Sequence, residues 1–431
     1  MNNHTIHSIR AFEVLDSRGR PTVEAHIQLA SGLTATAQAP SGASTGITEA
    51  HELRDRDPRR HNGFGVLTAV HHVNTEIATA LHGFDVFDQS TLDHALIALD
   101  GTPNKSRLGA NAILAVSCAA ARAAALAAGQ PLWQYLAGTR QAILPLPMVN
   151  ILSGGLHAAH AMEFQDFLAI PHAADSFRQA MEWITAIHLE ARLVLEEQGH
   201  YFTGVADEGG WGPKLPSNDL ALEVLTRAIE RAGLQPGAQV SIALDVASSH
   251  FYDNGAYILR SADHPLSPLE FIDLLADLTA RFPVTSIEDG LDQSDWAHWP
   301  QLTARLGSLA QIIGDDFLTT NPQRLTRAIA EQSANAVLVK MNQIGTLTET
   351  FAVIDQARAA GFRAVISARS GETEDPFLAD LAIASGMAQL KVGSITRSER
   401  LAKYNRLLVL EQTTQLPHWS TVPALLPNPA R

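Results

Sequence analysis

The chain has 431 residues and 46% hydrophobic content, too long for one β/α barrel and too short for three ordinary domains. A formal charge of −14 at pH 7 argues against nucleic acid as the main partner and leaves a small anionic substrate open, because local charge decides that. The single cysteine, Cys118, excludes a disulfide within the chain, and MNNHTIHSIR carries no apolar secretory segment, so a cytoplasmic protein without a membrane span is expected.

Residues 7–39 alternate in the β manner, with Val23, Ala25, Ile27 and Leu29 on one side and a turn at Ser31-Gly32. Helical patterns follow near 47–55, 65–82, 88–97 and 109–128. The run from Asn111 to Ala128 is apolar nearly all round, as a helix wedged between two layers would be, and Cys118 within it reads as a small buried hydrophobe. The segment 138–147 carries Gly and two prolines and marks the domain boundary. The expected organisation is an α+β capping domain over 1–137, a catalytic barrel over 143–416, and a surface tail over 417–431. The barrel region begins strand, strand, then two long helices near 174–198 and 217–233, before β and α alternate.

Six short apolar runs then stop at a charged or polar residue: SIAL-Asp245, VTSI-Glu288, QIIG-Asp315, NAVLV-Lys340, RAVISA-Arg369-Ser370 and AQL-Lys391. Barrel strands are buried on both faces and read as continuous Val, Ile, Leu and Ala. Barrel chemistry sits at the C-terminal strand ends. Three carboxylates, two lysines and an arginine would therefore converge on one mouth. Acids alone suggest a metal site; acids with lysines suggest a metal that holds an anion while a lysine moves a proton.

Longer motifs run through the chain: DSRGRPTVE at 16–24, PSGASTG at 40–46, NKSRLGANAILAVS at 104–117, DEGG at 207–210, SIEDGLDQSDW at 286–296, KMNQIGTLTET at 340–350, RSGETED at 369–375 and RSERLAKYN at 397–405. In this order they resemble the enolase family over roughly residues 9–411. The resemblance implies an α/β fold: an enolase-type β/α barrel with an irregular ββαα start, capped by an α+β N-terminal domain. It implies a magnesium-dependent hydro-lyase that dehydrates 2-phospho-D-glycerate to phosphoenolpyruvate, with two Mg²⁺ per active site. Enolase-superfamily sites use such ions with a Lys or His base to stabilise the intermediate.

By the same resemblance Asp245, Glu288 and Asp315 match ligands of the first Mg²⁺, with Glu288 and Asp315 also facing substrate. Three clustered carboxylates of this kind suit a hard cation. Ser44 matches the loop serine that completes the second metal site. Lys340 matches the base that takes the C2 proton, and Lys391 the contact to the substrate carboxylate. Arg369 and Ser370 match the phosphate-binding pair, arginine offering a fork of donors. Glu208 matches the general acid for the departing hydroxyl, and His157 a loop histidine that closes over substrate. A homodimer is implied as well.

Several residues depart from the family pattern. Asp166 matches a substrate-facing glutamate that helps orient the leaving group beside Glu208; it keeps the charge but withdraws the carboxylate by one methylene, about 1.5 Å. Ala368 replaces a histidine before Arg369, His160 replaces a loop asparagine, and Ala206 and Leu156 alter the neighbouring loops. Glu24 is kept, but its usual arginine partner across the dimer is Val409. Two enzymatic readings follow. One is the enolase reaction. The other is a paralogue acting on a bulkier 2-substituted glycerate, phosphorylated or phosphono, of the carboxyphosphonoenolpyruvate synthase type. A non-catalytic binding or scaffold protein is a third reading, and one with no reason to keep Lys340, Lys391 and all three acids.

Overall fold

The computed structural model describes residues 3–42, 45–200, 204–422 and 425–426; Ser44 lies outside them. An antiparallel sheet opens the chain, ordered β1 (Ile6–Leu15), β2 (Pro21–Leu29), β3 (Thr34–Gln38). Its period of two puts Val23, Ala25, Ile27 and Leu29 on one buried face. The helix Ala110–Ala127 packs on β2 and β3. Its other side meets the barrel-domain helices Met341–Ile344 and Leu347–Ala359. Small side chains let it approach both layers. Among the described residues it alone is long and apolar enough to cross a membrane, yet 83% of it is buried in the fold. Cys118 is buried within it, and burial pushes its thiol well above the usual range.

The helix expected over 47–55 does not form. Its backbone groups bond elsewhere: Ala50 N–H to the Gln343 carbonyl, His51 N–H to that of Asn104, and Leu53 N–H to the Asn111 side chain. Tertiary partners outside the segment take the place of local i→i−4 bonds.

The barrel closes in the order β4 (Leu146–Ser153), β5 (Asp166–Ile170), β6 (Ser241–Asp245), β9 (Val284–Glu288), β10 (Gln311–Gly314), β11 (Ala336–Val339), β12 (Arg363–Ser367), β13 (Gln389–Gly393). A small hairpin, β7 (Tyr252–Asp253) and β8 (Ala256–Tyr257), interrupts it after β6. β5 runs antiparallel to both β4 and β6, and the remaining pairs are parallel. Two helices, Phe177–Glu197 and Asn218–Arg231, separate β5 from β6, each started by a serine cap, Ser176 or Ser217. An up-and-down helix pair returns the chain to the end it left, so β6 must oppose β5. The ββαα start is therefore as expected. It also turns β5 over: its first residue, Asp166, pairs with Asp245, the last of β6.

Lys391 is not at a strand end. It is the third residue of β13, where the register against β4 shifts between Lys391 and Gly393. The shift lets the strand continue while Lys391 faces the mouth.

The described start of the expected tail, 417–422, is not a surface extension either. Leu144 N–H donates to the Pro417 carbonyl, and Trp419 is 2% exposed with its indole N–H 3.3 Å from the His172 carbonyl. Trp419→Ala is expected to cost about 3–5 kcal/mol of stability, read from denaturant unfolding. A change under about 0.5 kcal/mol, typical of surface sites, would restore the extension reading.

Candidate active site

The mouth is built from consecutive strand ends. Asp245 closes β6, Glu288 closes β9, Asp315 follows β10 and Lys340 follows β11. Registers Asp245↔Glu288 and Ile313↔Glu288 set the acids side by side. Lys391 Nζ lies 2.8 Å from Asp245 Oδ2 and 2.7 Å from each Glu288 oxygen. Lys340 Nζ donates to Asp315 Oδ2, whose other oxygen accepts from Gln343 Nε2 at 3.0 Å.

Three buried carboxylates thus share two ammonium groups. Burial lowers the pKa of Lys391, but Asp245 and Glu288 raise it further, to well above the usual lysine value. Burial and the Asp245 charge push Glu288 well up, against the pull of Lys391. For Lys340 burial pulls downward, but the charges of Asp315, Asp316 and Glu288 together outweigh it, so the ammonium form is favoured. Behind Asp315, Asp289 receives the N–H groups of Asp315 and Asp316 at 2.8 Å each. Asp289, Asp315 and Asp316 bring ligand oxygens close enough together to hold a cation. Burial and the Asp315 charge raise Asp316 to about 7. Sequence reading gave Asp316 no role. Hard oxygen donors in excess over their counter-charges fit a divalent ion such as Mg²⁺.

Arg369 and Ser370 follow β12 by two and three residues. The Arg369 fork reaches Glu49 Oε2 at 2.9 Å and Oε1 at 3.2 Å, and Asn342 Oδ1 at 2.8 Å. Ser370 Oγ is 3.4 Å from Arg18 Nη1. Glu49 and Asn342 were missed in the sequence. Glu49 falls in the segment misread as helix, and no spacing links it to Arg369.

The opposite wall is a relay. Asp166 is fully buried; its Oδ1 accepts from Asn150 and from Ser153 Oγ, and its Oδ2 lies 2.8 Å from His157 Nδ1. His157 Nε2 is 3.8 Å from Glu208 Oε1. Burial alone would lower the His157 pKa, but Asp166 and Glu208 raise it to about 9. Burial raises Glu208, but His157 and Arg400 outweigh it and hold the carboxylate below its usual value. Asp166, expected against substrate, stands behind His157 because its shorter side chain is used up by three neighbours. Glu208 is set by Gly209, whose φ of +92° and close approach to the Thr396 carbonyl exclude a side chain.

His157, Glu208, Asp245, Asp315, Lys340, Arg369, Ser370 and Lys391 border one cleft, lined also by Gln165 and Ala368. Gln165 Nε2 is 3.3 Å from Asp245 Oδ2; its position beside Asp166 in FQDF was the available signal. Ala368 is buried on the cleft lining, and His160 is exposed, with its carbonyl accepting from Arg260.

A capping sheet on a barrel with one inverted strand, whose mouth sets acids against lysines, defines a lyase of the enolase superfamily. Residues 6–136 match the family model for the enolase N-terminal domain, and residues 141–417 that for the enolase C-terminal TIM barrel domain. The chain belongs to the enolase family.

The relay has a measurable signature. His157 should stay charged until about pH 9, against an ordinary 6.5. The stability this adds is complete below pH 6.5 and lost as pH rises through about 9. Asp166→Asn should move the imidazole titration downward in NMR, with the resonance assigned by its loss in His157→Gln. An unchanged titration would remove Asp166 as the cause.

Proposed function

We propose that this protein dehydrates 2-phospho-D-glycerate to phosphoenolpyruvate. The observation that carries the reading is the pairing of Lys340 and Lys391 with all three strand-end acids beside Arg369. Asp245, Glu288 and Asp315 would hold the first Mg²⁺, and Ser44 would serve the second. Bound Mg²⁺ supplies the positive charge that stabilises the dianionic intermediate.

Arg369 and Ser370 take the phosphoryl group, and Lys391 takes the carboxylate. Lys340 removes the C2 proton, and the C–H electron pair moves toward the carboxylate. A lysine acts as a base only when neutral. Asp315, with Asp316 and Glu288, keeps Lys340 charged; with these acids committed to cations, burial and the Arg369 charge favour the neutral amine. Collapse of the intermediate breaks the C3–O bond. Glu208 delivers a proton to the leaving hydroxyl, which departs as water. Because Glu208 rests ionised, its proton comes from the imidazolium of His157. His157 thus supplies a proton as well as closing the cleft. Asp166 keeps that imidazolium charged.

The reading includes a homodimer through the β1–β2 face, where Phe12 and Leu15 are exposed beside Glu24. Glu24 is engaged within the chain by His26 at 2.6 Å and by Gln38, and Val409 is exposed. One lost ion pair at a surface weakens such a contact little.

Chelation should abolish turnover of 2-phosphoglycerate, and Mg²⁺ should restore it. Lys340→Met should slow exchange of the C2 proton with solvent deuterium by roughly 10²–10⁴-fold. Exchange at the wild-type rate would mean another base.

The Ala368 methyl, on the cleft lining where the family pattern has a histidine, favours a second reading, a bulkier phosphoryl or phosphono substrate for the same elimination. On the second reading, Asp166→Glu with Ala368→His should raise turnover of 2-phosphoglycerate, with non-additive effects. A wild type already working at the rates of ordinary enolases, and slowed by the pair, would exclude the reshaped pocket.

A further inference from the structure

The motif RSERLAKYN has no part in the chemistry above, yet it supplies the most deeply buried charges in the domain. It opens the helix Ser398–Thr413. Arg400, Lys403 and Tyr404 stand at i, i+3 and i+4, on one face, and all three are 0% exposed. Arg400 Nη1 donates to the carbonyls of Arg369 at 2.6 Å and Val392 at 2.9 Å, and Nη2 to that of Ser370 at 2.8 Å. Nη1 also lies 3.9 Å from Glu208 Oε1. Tyr404 OH donates to the Gly393 carbonyl at 2.9 Å. Lys403 Nζ donates to Glu372 Oε2 at 2.8 Å.

One guanidinium therefore grips three parts of the mouth. The peptides of Arg369 and Ser370 carry the phosphoryl end. Val392 follows Lys391, which carries the carboxylate end. Glu208 is the acid, and its own carbonyl accepts from Ser394 N–H at 2.8 Å on the same strand exit. A buried cation is tolerated only with its donors satisfied. Here the two Nη groups are satisfied by main-chain carbonyls of the site while Nε faces Glu399 Oε1 at 3.4 Å, and the planar fork fixes the relative placement of those carbonyls. A lysine has one nitrogen and cannot span them.

We propose that Arg400 is a positioning residue of the reaction, with Tyr404 as a second tie at Gly393. It holds the phosphoryl end and Glu208 in register with Lys391, and it does not touch β11, which carries Lys340. This rests on the reading of the site given above. Loss of Arg400 should therefore damage phosphoryl binding and the acid step more than proton abstraction.

The test is Arg400→Lys in the full-length chain with 2-phosphoglycerate as substrate. Three quantities are compared on folded protein: KM, kcat for dehydration, and the rate of C2 proton exchange. KM should rise, and dehydration should fall relative to exchange by about tenfold to a hundredfold, the scale of a 1 Å misplacement. A purely structural role would lower kcat and exchange by one common factor, with KM unchanged, and would overturn the proposal. If Arg400→Lys does not fold, Tyr404→Phe must show the same split on a smaller scale, and its absence is equally fatal. A wild type inert toward 2-phosphoglycerate would refute the functional reading alone. The inference would then be decided by calorimetric titration with inorganic phosphate, which Arg400→Lys must bind at least about tenfold more weakly than wild type, the scale of the same displacement.

Discussion

Two ammonium groups cannot neutralise three buried carboxylates, and the rest of the mouth is organised around that imbalance. Lys391 is divided between Asp245 and Glu288, and Lys340 is committed to Asp315. Charges are held in a low-dielectric interior only when paired. The surplus is tolerable because the site is shaped for additional positive charge. Asp315, with Asp316 and Glu288, holds Lys340 in its ammonium form against burial.

The inverted strand supplies what parallel strands cannot. A parallel barrel brings only strand ends to its mouth, whereas β5 brings a strand beginning, Asp166, level with Asp245. The loop between β4 and β5 then lies over the mouth and carries His157. The Asp166–His157 wall and the strand-end wall of the mouth therefore come from differently wound parts of one barrel.

Much of this was legible in the sequence, and the failures have physical causes. Asp245, Glu288, Asp315 and Lys340 end or follow apolar runs because a strand stops where its side chains leave the core. Lys391 broke the pattern because β13 continues through it, buried throughout, to a register shift; the apolar run ends where side-chain polarity changes, not where burial or pairing does. The segment 47–55 has helical composition, but its hydrogen bonds are made to distant residues, which composition does not record. Arg400, Lys403 and Tyr404 have the spacing of an exposed polar face. Their burial depends on carbonyls and a carboxylate contributed by other loops. The shorter reach of Asp166 was legible, but the three partners that take up its oxygens, Asn150, Ser153 and His157, were not.

The bidentate contact between Glu49 and Arg369 crosses from the capping domain to the barrel. So do Lys105 with Glu349 and Arg122 with Asp375. The capping domain is thus a wall of the reaction chamber and not only its cover. A barrel expressed alone would leave the guanidinium at its anion end without its counter-charge. The two halves are consequently a single unit of inheritance: recombination between relatives at the 138–147 junction succeeds only where the incoming half brings the matching acid.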